Sequence, residues 1–191
     1  MILGRDFYQR PAPRVARDLL GCLLVSRQGR VVTAGRIVET EAYLGPEDEA
    51  SHAAFRPGSH HLFYGDGGFA YVFPAYGVHL CLNAIVGPIG HPGCVLLRAA
   101  EPVAGFPTMS RRRGVAAESR RLASGPGNLC RAFGVTLAHN GSDLTRGPLT
   151  IRRDAGQTAV TISTGPRVGI TRAVHRRLRF WITDNQYVSK F

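Results

Sequence analysis

Two glutamates one residue apart, Glu39 and Glu41, follow the apolar pair Ile37–Val38 and lead into Tyr43. If Arg36–Ile37–Val38 continues as a strand, side-chain alternation puts Glu39, Glu41 and Tyr43 on one side. Residues 39 to 49 hold five of the chain's thirteen acids, although the formal net charge is +11. A carboxylate beside an aromatic ring in a cationic protein suits work on a polyanion. The basic surface would hold a phosphate backbone, and the acidic pocket would act on an electron-poor centre. The second informative stretch is GGFAYVFPAYGVHLCLN, Gly67 to Asn83. By strand parity Tyr71 and Phe73 share a face, while Tyr76 falls at a turn and out of phase with them. Aromatics fill cores more often than they stack on ligands, so Tyr71 and Phe73 read alone are core residues. Tyr76, beside Gly77 at the tip of a hairpin, suits insertion between stacked bases.

Composition limits the partners. A chain of 191 residues and 20.7 kDa is read as one domain, 1–191, large enough to bury a core. No apolar run approaches membrane-spanning length, and Arg5 and Asp6 interrupt the N-terminus, so a cytoplasmic protein is expected, nucleoid-associated if bacterial. Cys22, Cys81, Cys94 and Cys130 are scattered, which favours buried thiols over disulfides or a zinc knuckle. The charge comes from 23 arginines and a single lysine, Lys190. A GC-rich genome explains that ratio but not the net excess. Arginine pairs at 112–113, 120–121, 152–153 and 176–177 point to a nucleic-acid partner rather than a membrane, which would call for an amphipathic basic helix.

The elements that must position these residues are short. PAPRVARDLL (11–20) reads as a helix entered through prolines and stopped by Gly21. Strands are expected over 22–26, 31–43, 94–103, 149–151, 160–162 and 178–182, with a loose hairpin over 69–86 broken near Pro74–Gly77. Pro46–Ala54 should begin with a helical turn, Arg56–Gly68 should be loop, and Pro126–Phe133 a helix capped by Gly134. Strands dominate and connections are local. The expected fold class is therefore α+β: a curved, mostly antiparallel sheet flanked by short helices, with a protruding β-hairpin.

ETEAYLGPEDEASH, YVFPAYGVHLCLN, CVLLRAAEP and SGPGNLC together resemble the alkyladenine (3-methyladenine) DNA glycosylases, in order and spacing and over nearly the whole chain. The resemblance implies a monofunctional base-excision repair enzyme acting on double-stranded DNA with damaged purines, as a monomer and without a cofactor. It implies that Glu41 is the general base for a water attacking the sugar C1′ of a flipped nucleotide, with Arg98 and the carbonyl of Val168 holding that water. Tyr43 and Phe73 would sandwich the base, His52 would pack against its edge, and Tyr71 belongs to the same aromatic group. Tyr76 would be the wedge that fills the gap in the duplex. Asn83 would oppose the 2-amino group of guanine. Read without the resemblance, Glu41 is as well explained as a solvated edge-strand acid and Asn83 as a structural amide. Phe73 departs from the tyrosine of better-known relatives, and His79 stands where an aromatic is common.

Two further readings come from the residues alone. A glycosylase that also cuts the strand needs an amine for a Schiff base, and only Lys190 and the N-terminus could supply one. A hydrolytic enzyme without lyase activity is expected. His60, His61, His91, His139 and His175 fit no metal-ligand spacing, so no metal is called for. The competing functions are a sequence-indifferent nucleic-acid binding module, in which Glu41 is an ordinary surface acid, and a hydrolase of small nucleosides, which would need neither the charge nor Tyr76.

Overall fold

The architecture turns on one long strand. Val31–Tyr43, thirteen residues, is buried without interruption from Ile37 to Ala42. Strict alternation would bury only half of them; continuous burial means that both faces are covered. The computed structural model describes residues 1–56, 60–75, 77–156 and 159–190. In chain order the elements are α1 (Arg5–Tyr8), α2 (Ala12–Asp18), β1 (Leu23–Gln28), β2 (Val31–Tyr43), α3 (His52–Phe55), α4 (His60–Phe63), β3 (Ala70–Ala75) and β4 (His79–Ile85). They continue as β5 (Cys94–Ala104), α5 (Phe106–Arg113), α6 (Pro126–Phe133), β6 (Leu149–Arg152), β7 (Ile162–Gly165) and β8 (Arg179–Ile182). The fold is α+β, and all the named strand pairs are antiparallel in one sheet of order β3-β4-β5-β2-β1-β6. On the edge away from β5, β2 pairs with β1 through its first half and with β8 through Glu39–Glu41.

Irregularities in the β2–β5 ladder curve the sheet and re-aim side chains. Val38 has no partner between Ile37↔Ala100 and Glu39↔Ala99, and Arg98 has none between Glu39↔Ala99 and Thr40↔Leu97. Such bulges bend a strand and turn the extra residue to a new direction. Thr40 faces α2, where its hydroxyl donates to the Ala16 carbonyl at 2.9 Å. Its neighbours Glu39 and Glu41 face the other way.

α2 and α6 pack on the sheet around a core that includes Val15, Leu19, Ile37, Leu97, Leu129 and Phe133. A smaller cluster of Ala53, Phe63, Tyr71, Ile85 and Cys94, with Tyr43 and Phe73 against it, forms the foundation of the site. The helix over Pro126–Phe133 ends as expected at Gly134, whose φ of 67° is a left-handed cap that favours glycine. The β3–β4 hairpin carries at its tip Val78, 80% exposed, so the protruding hairpin is present. Tyr76 lies outside the described residues.

Four expectations about elements differ. The helical turn expected at the start of Pro46–Ala54 comes at its end, as α3. The expected loop 56–68 contains α4, a single turn. The strand expected at 160–162 runs over Ile162–Gly165, where it pairs with β8. No helix was expected at Phe106–Arg113. Its sequence, FPTMSRRR, buries one side chain, Met109, so it carries almost no apolar periodicity to read.

Candidate active site

The register lays the site out in one row. Tyr71 pairs with Asn83, Asn83 with Leu96, Leu96 with Glu41 and Glu41 with Arg179, across β3, β4, β5, β2 and β8. Residues directly opposite on adjacent strands present their side chains to the same face. Five residues distant in sequence are thereby brought onto one surface of the sheet.

A cleft of about 620 Å³ opens over Tyr71, Asn83 and Leu96 of this row, within the size range of ligand pockets. Tyr43, His52, Tyr71, Phe73, Asn83, Arg98 and Val168 all line it, together with Phe55, Arg56 and Pro126. The aromatic wall is continuous. The rings of His52 and Phe73 lie 4.3 Å apart, those of Tyr71 and Phe73 5.2 Å at 31°, and those of His52 and Phe55 5.1 Å edge to face. The Tyr71 hydroxyl meets His52 Nδ1 at 2.8 Å, which fixes the imidazole. Burial, then the nearby Arg56 guanidinium, push the His52 pKa down to about 4. His52 is therefore a neutral ring at pH 7. Arg56 itself stands over Phe73, 5.4 Å from the ring centre.

Glu41 lies behind the lining of the cleft and is 0% exposed. Its Oε1 accepts the Val168 amide N–H at 2.8 Å and lies 3.4 Å from Arg98 Nη1, and its Oε2 accepts the Tyr43 hydroxyl at 2.8 Å. All three capping residues line the cleft. Burial pushes the Glu41 pKa above the ordinary carboxylate value, and Arg98, the Val168 N–H and the Tyr43 hydroxyl pull against it. The contact to Val168 is made by its N–H; the carbonyl expected to hold a water is a different group.

Asn83 is 2% exposed, and its Nδ2 donates to the Tyr71 carbonyl at 3.1 Å, while its Oδ1 lies 3.8 Å from the Cys94 thiol. It is thus both a structural amide and a fixed part of the cleft wall. Burial raises the Cys94 thiol well above its usual range. Among the described residues, no group of three or more His, Cys, Asp or Glu side chains is placed to hold a metal ion.

Residues 6–186 match the methylpurine-DNA glycosylase family. The chain belongs to that family. It is 44% identical over 193 residues to a Methanoculleus marisnigri protein provisionally named as a 3-methyladenine DNA glycosylase, with 100% of both chains covered. Proteins of the same provisional name from Myxococcus xanthus and Koribacter versatilis are 42% identical, covering 98% of this chain and 93% and 92% of their own. Family membership carries the class of activity, a DNA glycosylase and hence a hydrolase whose substrate is DNA. No helix among the described residues is long and apolar enough to cross a membrane.

In this methylpurine-DNA glycosylase family member, Arg98, Val168, Tyr43, His52, Tyr71, Phe73 and Asn83 line one cleft, and Glu41 lies directly behind three of them. Sequence reasoning missed the charges that hold them. Arg167 and Asp48 form a bidentate pair at 2.6 and 2.8 Å, with both side chains at 0% exposure. The Arg167 guanidinium lies 4.6 Å from the Tyr43 ring centre and donates to the Ala42 carbonyl at 3.0 Å. It therefore ties the end of β2 to the segment that carries Val168. Asp48 was visible only as one acid in the run GPEDEA, and nothing in PRVGI marked Arg167 as its partner 119 residues away.

Proposed function

We propose that this chain is a monofunctional glycosylase of base-excision repair. It hydrolyses the N-glycosidic bond of alkylated or deaminated purines flipped out of duplex DNA and leaves an abasic site. The observation that carries this reading is Glu41, a carboxylate with no exposed surface that lies directly behind an aromatic cleft, bonded to Tyr43 and Val168 of its lining. That burial counts against the competing reading in which Glu41 is an ordinary surface acid. A solvated acid would have a normal pKa and no enclosed neighbours.

The chemistry assigns each group a task. Glu41 takes a proton from the water that attacks C1′, and its negative charge stabilises the positive charge developing on the sugar as the base leaves. Arg98 and the Val168 carbonyl hold that water. Oε2 accepts the Tyr43 hydroxyl and keeps a second lone pair for the attacking water, while the Val168 N–H, part of the backbone, stays on Oε1. Tyr43 and Phe73 stack on the extruded base and His52 packs at its edge, as base-flipping enzymes require of aromatic pockets. A cationic alkylated purine gains further from electron-rich ring faces and departs without prior protonation. His52 Nδ1 is engaged with the Tyr71 hydroxyl, so any hydrogen bond from this neutral ring to the base is made through Nε2. Tyr76 is assigned as the intercalating wedge on the resemblance alone.

The absence of lyase activity rests on chemistry: the residues lining the cleft include no lysine. We take the protein as a monomer that meets DNA through its arginine-rich surface. Incubation with duplexes carrying 7-methylguanine, 3-methyladenine or hypoxanthine should release free base and leave the strand uncut until alkali is added. Affinity for those duplexes should fall by about a hundredfold or more between roughly 50 and 200 mM salt. Release of no base from any of them would remove the proposal, and salt-independent turnover would favour a nucleoside hydrolase.

Asn83→Ala should let undamaged guanine be excised about tenfold faster relative to 7-methylguanine. The fixed amide excludes the 2-amino group by contact and by leaving that donor unpaired. Paired single-turnover rates on the two substrates check this, and an unaltered ratio would remove Asn83 as the gate.

A further inference from the structure

Glu41 is not the only carboxylate buried on this face. Glu39, also 0% exposed, accepts four hydrogen bonds: from Arg98 Nε at 3.1 Å, Arg179 Nε at 2.7 Å, Ser189 Oγ at 3.0 Å and the Ser189 N–H at 2.8 Å. Arg98 is shared, since its Nη1 lies 3.4 Å from Glu41 and its Nη2 donates to Ser189 Oγ at 3.2 Å. Arg179 also donates to the Ser189 carbonyl at 3.3 Å. Two carboxylates and two guanidinium groups thus form a neutral cluster, threaded by the C-terminal segment and placed where Arg98 bulges out of β5.

We propose that Glu39 is a positioning residue for the general base: it keeps Arg98 divided between two carboxylates, with Arg179 and Ser189 closing the cluster. The inference rests on the assignment of Glu41 as the base. An arginine given wholly to Glu41 would stabilise the carboxylate too strongly and make it a poor base. Without any arginine, the push of burial on the Glu41 pKa would lose its largest opposing pull. The shared geometry sits between these extremes. Repulsion from Glu39 also pushes the Glu41 pKa up, against the pull of Arg98. The charged and titratable groups around Glu41 are Glu39 and Tyr43 from β2, Arg98 from β5, Arg179 opposite it on β8, Cys81 from β4, and Arg167 and Asp48 beside Tyr43.

The sign of the effect separates positioning from mere structural support. Glu39→Gln removes a negative charge and leaves two cations facing Glu41. The acid limb of the single-turnover rate should move down by about one pH unit, and the plateau should fall several-fold because the base is weaker. Arg179→Gln removes a positive charge, so the limb should move up by about one pH unit. Arg179→Lys restores the charge and should return the limb to its original position. Ser189→Ala keeps every charge, so the plateau should fall with the limb in place. Affinity for the lesion duplex should stay within about twofold throughout, since none of these groups lines the cleft except Arg98.

Circular dichroism and melting curves establish which variants are folded. If Glu39→Gln does not fold, Arg179→Gln against Arg179→Lys decides the matter. Limbs that stay put, or that move in the same direction in Glu39→Gln and Arg179→Gln, overturn the inference. A limb that moves in Ser189→Ala does so as well. The underlying assignment fails in a different experiment, namely if Glu41→Gln still turns over.

Discussion

Glu41→Gln is expected to slow release of 7-methylguanine from duplex DNA by about a thousandfold or more under single-turnover conditions. A positioned general base is worth on the order of 10²–10⁴ in rate, and a fixed charge aimed at the developing cation adds to it. The amide keeps the shape and can still accept the Val168 N–H and pair with the Tyr43 hydroxyl, so the fold should survive. Its stability follows from linkage. Burial raises the folded-state pKa of Glu41 above its unfolded value. Ionised Glu41 therefore costs stability at pH 7, a cost that fades as pH falls through the folded pKa and is absent below the unfolded one. The glutamine variant should melt no lower than wild type at pH 7 and bind lesion duplex with similar affinity. For the same reason, the acid limb of wild-type turnover should lie above the usual carboxylate value near 4.5. Turnover within about tenfold of wild type in a folded Glu41→Gln protein would eliminate it as the base.

Much of this site was legible because strands obey a two-residue period. Parity alone placed Glu39, Glu41 and Tyr43 on one side of β2 and Tyr71 with Phe73 on one side of β3, and the structure brings both sets together on the same cleft or the layer beneath it. Gly134 marked the end of α6 because a left-handed cap has a composition. What could not be read is what long-range pairing decides. Arg98 reaches both glutamates because it is bulged out of register, and a bulge leaves no mark in a run such as CVLLR. Ser189 meets Glu39 across 150 residues, and Asp48 meets Arg167 across 119. Single-sequence reasoning sees each as an unremarkable polar residue. The continuous burial of β2 also hid the difference between a surface acid and a buried one. Only the strands β5, β1 and β8 alongside it and the packing on its two faces settle which Glu41 is. Helix α5, with one buried side chain, offers no period at all.

Asp48→Asn is expected to be the most damaging of the conservative substitutions for stability. It leaves the Arg167 guanidinium, wholly enclosed and pressed on Tyr43, without its bidentate counter-charge. Breaking a buried pair by removing one partner costs about 3–5 kcal/mol. For a chain of this length that is a fall in melting temperature of roughly 10 °C. The pH dependence has a definite sign. Burial alone would raise the Asp48 pKa, but Arg167 and the Leu44 and Ala50 N–H groups outweigh it and hold the carboxyl below its ordinary range. The pair's contribution is therefore fully present above the unfolded value of about 3.9 and is lost as pH falls through the lower folded value. Wild type and Asp48→Asn should differ by the full amount from pH 5 upward and converge only in strong acid. Replacing both partners, Asp48→Leu with Arg167→Met, should recover much of the stability because no charge is then left buried. It should not recover the rate, because Tyr43 loses the group behind its ring and Val168 the neighbour that anchors its N–H on Glu41. Equal melting temperatures for wild type and Asp48→Asn would show that the pair contributes nothing. A double variant with full turnover would show that its contribution is to the fold alone and not to the placement of Tyr43 and Glu41.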